Sequence, residues 1–337
     1  MRETVGHEQA WRRLAGAFAR GQVHHAYLLA GPESIGKTTL ALEFARLLLC
    51  ERPDLAALEP CGLCRTCLRV AHGNHPDLTV VEPEEGKRQL GVDAVRESVV
   101  RLANLAPAAG AWRVFVVPAV ERMTASTVNA LLKTLEEPPP GVVILLTTAE
   151  PETLLPTLLS RCQLIPMQPV PADLVRAALI RRWHADEGDA AALVELAAGR
   201  LGWAVRALEH PELRAERADR LERLMALTAA SRDERLRAAG ELAADTEAAR
   251  LTVRLWTQWW RDVTLAACGA GHLASEGTAR REAERQGRAL GPERCEAFLR
   301  RLVEAQAALD QNANPRLTLD VLLLDLPTLR AAPAARP

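Results

Sequence analysis

Apolar residues follow two alternating rhythms over the first half of the chain. Short unbroken apolar runs occur at AYLLAG (26–31), DLTVVEP (77–83), WRVFVVP (112–118), VVILLTT (142–148) and QLIPM (163–167), and they read as strands buried on both faces. Between them lie stretches with apolar positions at helical spacing: residues 1–20, TTLALEFARLLLC (38–50), VDAVRESVVRLANL (92–105), TASTVNALLKTLEE (124–137) and ETLLPTLLS (152–160). Strands alternating with helices predict a parallel sheet covered on both sides, in an α/β nucleotide-binding domain over residues 1–167.

The rhythm changes after QPVPADL (168–174), a proline-bearing linker. Every later segment reads helical. A small helical piece is expected over 168–210, with breaks near Gly188 and Gly199, followed by long Ala/Leu/Arg/Glu helices over 211–330. GAGH (269–272) and NANPR (312–316) punctuate the second set, and the tail AAPAARP (331–337) is expected to be disordered. WTQWW (256–260) puts Trp256, Trp259 and Trp260 on one helix; few cations flank it, so a core or helix interface is favoured over a base-stacking platform.

Bulk composition narrows the function classes. The 337 residues carry a formal net charge of −1, so no global basic field points to DNA. No apolar run approaches the roughly 20 residues needed to span a bilayer, and the N-terminus lacks the apolar centre of a secretory signal, so the cytoplasm is the expected compartment. The basic residues are 39 Arg and only 3 Lys, at 37, 87 and 133. A lysine in this chain therefore calls for a specific reason.

Lys37 has one. Gly31, Gly36, Lys37 and Thr38 match G-x-x-x-x-G-K-[ST] between a predicted strand and a predicted helix, the context that gives this motif meaning. Glycines let backbone N–H groups converge on phosphate oxygens, and the helix N-terminus adds its positive dipole end. Lys37 serves as a compact point charge between phosphates, where an Arg would be bulkier and planar. Thr38 is placed to ligate magnesium, and Ser34 and Thr39 complete the candidate loop for ATP or ADP. The bland alternative is a glycine turn that merely joins strand to helix.

Four of the seven cysteines, Cys50, Cys61, Cys64 and Cys67, fall within one window. In a cytosolic chain that clustering favours a closed structural zinc site over disulfides, with His72 and His75 as nearby substitutes for a ligand. The metal would staple an insertion (50–67). The alternative is a set of reduced structural thiols.

HHAYLLAGPESIGKTTLA (24–41), the cysteine knuckle with GNHPDL (73–78), NALLKTLEEPPPGVVILLTT (129–148), LLPTLLSRCQ (154–163) and NANPRLTLDVLLLDL (312–326) together resemble bacterial replicative clamp-loader subunits of DNA polymerase III, in the AAA+ superfamily. The resemblance implies an α/β P-loop AAA+ domain, a small helical lid and an all-α collar that oligomerises. It also implies partners: the motor subunit called gamma or tau and the delta subunit in a hetero-pentamer, the sliding clamp, and primed DNA reached through the assembled complex. In active members the strand at 113–117 is followed by two acids, the second of which polarises the attacking water. Here those positions are Pro118 and Ala119. Glu121 is two residues further on, past a proline, and is expected to point elsewhere. The chain is then expected to bind ATP or ADP with Mg2+ and scarcely hydrolyse it. The resemblance assigns Arg161 of Ser160-Arg161-Cys162 as an arginine finger acting in trans on a neighbour's ATP. More weakly, it places Thr148 as a γ-phosphate sensor and Arg206 as a lid arginine. Their ordinary readings are a strand-capping hydroxyl and a surface arginine, respectively. Lys133 is expected to form a salt bridge with Glu136 or Glu137. Two competing readings remain: the active gamma/tau-type motor of the same loader, and a standalone DNA-binding ATPase.

Overall fold

The computed structural model describes residues 3–81, 90–273 and 278–329. The chain divides into two compact units, one ending at Val205 and the other beginning at Arg206. The tail over 331–337 lies outside the described residues.

The first unit opens with α1 (Glu8–Ala19), β1 (Ala26–Ala30), α2 (Lys37–Leu49), α3 (Arg65–Ala71) and β2 (Leu78–Val80). A helical stretch follows as α4 (Val92–Val95), a π-helical segment Arg96–Val100 and α5 (Arg101–Ala103). Then come β3 (Arg113–Val117), α6 (Ala125–Glu136), β4 (Val142–Thr148), α7 (Pro156–Leu159) and β5 (Gln163–Pro166). The five strands form one parallel sheet in the order β2-β3-β4-β1-β5. Side chains alternate across it, as the two-residue period requires. Tyr27, Leu29, Val114, Val116 and Leu145 pack on one face with α1 and α2, while Leu28, Phe115, Val117, Ile144 and Leu146 pack on the other with α4 to α6. Each face thus has its own apolar core, which explains why the strands read as continuous apolar runs.

One buried ion pair anchors the end of the sheet away from the phosphate loop. Asp77 is fully buried and meets the Arg113 guanidinium at 3.1 Å. Its carboxylate also accepts from the N–H groups of Ala108 (2.7 Å) and Ala109 (2.8 Å). Removing one partner of such a pair leaves an uncompensated charge, at about 3–5 kcal/mol.

Three helices, α8 (Ala172–Trp183), α9 (Glu187–Ala197) and α10 (Leu201–Glu209), follow the sheet. The first break falls at His184, which is left-handed with φ 54°, and Asp186 caps α9 by accepting from Asp189 N–H. Gly188 therefore lies inside α9 and not at the break expected there. The second break does contain Gly199, whose φ is +78°. The expected helix over 152–160 also shortens: Pro156 opens α7 at its first turn, and the residue before a proline is pushed out of helical geometry.

The second unit is helical throughout its described residues: α11 (Glu212–Ala229), α12 (Arg232–Ala243), α13 (Thr246–Ala267), α14 (Thr278–Leu290), α15 (Pro292–Asp310) and α16 (Pro315–Leu324). Trp256 and Trp260 are fully buried in its core with Val263, Leu302 and Leu319. Trp260 meets Phe298 edge-on at 4.7 Å, Trp256 donates to the Arg220 carbonyl (3.0 Å), and Trp259 donates to Gln286 Oε1 (3.2 Å). The tryptophans are core residues, with little π surface left for a base. Among the described residues no helix is long and apolar enough to cross a membrane.

Candidate functional site

The phosphate loop sits where β1 ends. Gly31 N–H donates to Thr148 O (3.1 Å), and Met167 N–H donates to Ala30 O (2.7 Å), so the loop leaves the sheet between the ends of β4 and β5. A side chain at Gly31 would put its Cβ 2.2 Å from the Met167 carbonyl, and Gly36 has φ 106°. Both positions need glycine, for close approach in one case and for backbone conformation in the other. Lys37, the first residue of α2, is 9% exposed. Its Nζ donates to the carbonyls of Gly31 (2.5 Å) and Pro32 (2.7 Å). Burial lowers its pKa, opposed by the charges of Glu121 and Glu33 and helped by Arg122. A buried ammonium on loop carbonyls, at the start of a thirteen-residue helix, is the arrangement a phosphate would complete. Thr38 and Thr39 are half-buried beside it.

The loop is held from two other segments of the same unit. The buried His7 ring shares a hydrogen bond with Ile35 O through Nε2 (2.8 Å), and Gly202 N–H of α10 donates to Ser34 O (2.7 Å). Ser34 itself is left-handed at φ 61°. Arg206 is an exposed residue further along α10 and belongs to the second compact unit. Thr148 ends β4 fully buried, and its Oγ1 accepts from Glu150 N–H (3.0 Å).

The acid expected to point away does not. Val120–Arg122 form a 3₁₀ turn entered through Ala119 in the left-handed region, φ 51°. That reversal carries Glu121 back toward the strand ends, where Ala149 N–H donates to its Oε1 (3.3 Å) and its charge acts on Lys37. Alanine at 119, adopting a conformation it seldom takes, turns Glu121 inward despite the proline at 118.

Arg161 lies at the other end of the sheet. It stands two residues before β5, whose first residue Gln163 registers with Tyr27 near the start of β1. Its guanidinium pairs with Glu136 (2.6 Å) and donates to Thr157 O (2.8 Å) and Ser160 Oγ (3.2 Å), with the side chain 32% exposed. Glu136 pairs with Arg161, and among the described residues the pair expected between Lys133 and Glu136 or Glu137 is not formed. The neighbouring Cys162 thiol is pushed up to about 12 by burial.

The sulfur atoms of Cys50, Cys61, Cys64 and Cys67 all lie within 4.8 Å of one another. Tetrahedral zinc with Zn–S near 2.3 Å spaces its sulfurs by roughly 3.8 Å, so the four fit one ion. Cys50 ends α2, Gly62 (φ +75°) turns the knuckle, and Cys64 caps α3. Backbone N–H groups of Cys61, Cys64 and Cys67 point at the sulfurs of Cys50, Cys61 and Cys64 at 3.3, 3.4 and 3.4 Å. Such N–H···S contacts favour thiolates: those from Leu63 and Cys64 lower Cys61 to about 6, whereas burial raises Cys67 to about 12. His75 is outside the cluster, accepting from Asp77 N–H through Nδ1 (3.1 Å). These four cysteines would hold a structural zinc, which would brace the knuckle.

Residues 6–171 match the family described as DNA polymerase III, delta subunit. The chain is 47% identical over 152 residues to DNA polymerase III subunit delta' of Pseudomonas aeruginosa, covering 45% of this chain and 44% of that one. It is 39% identical over 195 residues to the delta' subunit of Escherichia coli, covering 58% of each. It is 38% identical over 179 residues to the gamma/tau subunit of Mycobacterium tuberculosis, covering 53% of this chain and 30% of that one. The matched segment thus spans about half the length of the delta' relatives and less of the gamma/tau relative.

Proposed function

We propose, on the match of residues 6–171 to the DNA polymerase III delta-subunit family, that the chain is a clamp-loader subunit that grips nucleotide, hydrolyses it slowly at most, and lends Arg161 to the ATP site of a neighbouring subunit. In this reading residues 1–167 are the AAA+ domain, 168–210 the lid and 211–330 the oligomerising collar. Its partners are gamma/tau and delta subunits in a hetero-pentamer in the cytoplasm. The assembled ring opens the sliding clamp and sets it on primed DNA.

The observation that carries the reading is the placement of the two cations. Lys37 is at the carboxyl end of β1, and Arg161 is beside its amino end, across five strand residues. That is about 16 Å at 3.3 Å per residue. Arg161 cannot reach its own phosphate loop, so any triphosphate it meets belongs to another molecule. Pro118 and Ala119 support the slow half of the reading, because active sites of this kind use one acid for the metal and another for the water. Gly31, Ser34, Gly36, Lys37, Thr38, Thr39 and Thr148 line the pocket in this reading.

The test is reconstitution with gamma/tau and delta subunits. Arg161→Ala is expected to lower clamp- and DNA-stimulated ATP hydrolysis by about 10³-fold, the low end for arginine fingers. An unchanged rate removes the trans role. A motor reading has Glu121 in its favour, since an acid does face the phosphate loop. It predicts turnover by the isolated chain at a motor's rate.

A further inference from the structure

Glu121 has a role left open by the reading above. The turn that carries it is fixed at three points. Ala119 N–H donates to Thr147 Oγ1 (3.1 Å), Ala149 N–H donates to Glu121 Oε1 (3.3 Å), and Arg122 pairs with Glu33 of the phosphate loop (3.3 Å). The carboxylate is therefore held by its first oxygen on the backbone just past β4. The second oxygen, Oε2, is buried and has no hydrogen-bond partner. Folded proteins rarely leave a buried carboxylate oxygen unsatisfied, and those that do often lack a water or an ion. Lys37 is the cation on which Glu121 acts, yet Lys37 Nζ is bonded to Gly31 O and Pro32 O and makes no ion pair with the carboxylate.

We propose that Glu121, through Oε2, and Thr38 would together hold the divalent cation of a nucleotide bound at the phosphate loop. The reasoning is electrostatic. A triphosphate on this loop brings several negative charges toward a fixed carboxylate, which repel it. A divalent cation between them inverts that sign. Magnesium is held in this manner, by one or two carboxylates together with phosphate oxygens and retained waters. The place left by Pro118 and Ala119 is thus filled from two residues further along, by a turn that doubles back. A single carboxylate with one oxygen already committed to Ala149 can serve the metal without also orienting a water, and Glu33, the other acid acting on Lys37, is paired with Arg122. The inference rests on the nucleotide-pocket part of the proposed function and explains how a pocket could keep its metal while losing its rate.

ATP titration of the whole zinc-loaded chain by calorimetry, in Mg2+ and in chelator-free buffer without divalent cation, tests it. For the unaltered chain Mg2+ is expected to tighten ATP by about tenfold or more, the scale of one hydrogen bond to a charged group. In Glu121→Gln that gain disappears, and without Mg2+ the variant binds ATP at least as tightly as the unaltered chain because the repulsion is gone. Glu121→Asp keeps the charge, and retains the repulsion without Mg2+ with part of the Mg2+ gain. Equal factors of weakening with and without Mg2+, or a Mg2+ gain that survives Glu121→Gln, overturn the proposal. Failure of ATP to bind in either condition defeats it together with the pocket. The Arg161 experiment reads a neighbour's hydrolysis and is decided separately.

Discussion

The phosphate loop and the Ser160–Cys162 corner each present one cation, and they present it in opposite ways. Lys37 is nearly buried, bonded to its own loop and facing a carboxylate from the same unit. Arg161 is at the rim, a third exposed, braced by Glu136 and the end of α7. The difference is chemical as well as geometric. A compact ammonium fits as a point charge between phosphate oxygens in an enclosed pocket, whereas a planar guanidinium presents its fork of donors from an exposed edge. One cation is built to be met by a ligand coming in, the other to be carried to a ligand elsewhere. A chain that writes Arg almost everywhere and Lys at this loop follows the same distinction.

Substitutions separate the two roles. The largest effect is the crossed one. Arg161→Ala is expected to cost about 10³-fold in hydrolysis by the assembled complex and to leave ATP affinity of the isolated chain unchanged. Lys37→Ala is expected to abolish that affinity. If both variants move the same quantity, the division of roles is wrong. Next, Asp77→Asn strands Arg113 in the sheet's buried end and should destabilise the first unit by about 3–5 kcal/mol in denaturant titrations, with nucleotide affinity per folded molecule retained. Zinc analysis should find one equivalent, lost in Cys64→Ser, with protease sensitivity rising at the knuckle before the sheet. Glu136→Gln keeps the size of the brace and removes its charge. A few-fold loss of complex ATPase is expected, far below that of Arg161→Ala, because the Arg161–Glu136 pair is partly exposed.

The smallest effect is a pH dependence. Burial lowers the His7 pKa, so the folded chain favours the neutral ring. Above the ordinary value near 6.5 both states are neutral and His7 contributes nothing to the slope. As pH falls below that, the unfolded chain takes up a proton before the folded one does, and stability declines. Thermal melts between pH 7 and 5 should show this decline, reduced in His7→Gln. His25 and His75 are also lowered by burial, so the decline is reduced and not abolished.

What the sequence made legible follows from the range of the forces involved. The strands were legible because a sheet buried on both faces forces continuous apolar runs, and β4 runs from Val142 to Thr148 as expected. The cysteine cluster was legible because its ligands are close in sequence, and the tryptophans because 256, 259 and 260 share one helical face. Contacts across long separations were not. Nothing local to Glu136 announces Arg161, and nothing near Asp77 announces Arg113. The direction of Glu121 is not legible in the sequence for a different reason. The left-handed φ at Ala119 is imposed by the contact to Thr147 and by packing, since alanine carries no preference for it. A strained turn beside a phosphate loop is where local rules are expected to fail.

The division between gripping and cutting is tested most directly by steady-state ATP hydrolysis of the isolated chain, at saturating ATP and Mg2+, in parallel with a gamma/tau-type motor subunit. Bound ATP is expected with turnover at least about 10²-fold below the motor, the low end for loss of a positioned general base. Turnover matching the motor, abolished by Glu121→Gln, would overturn that division and make Glu121 the catalytic acid of an active site.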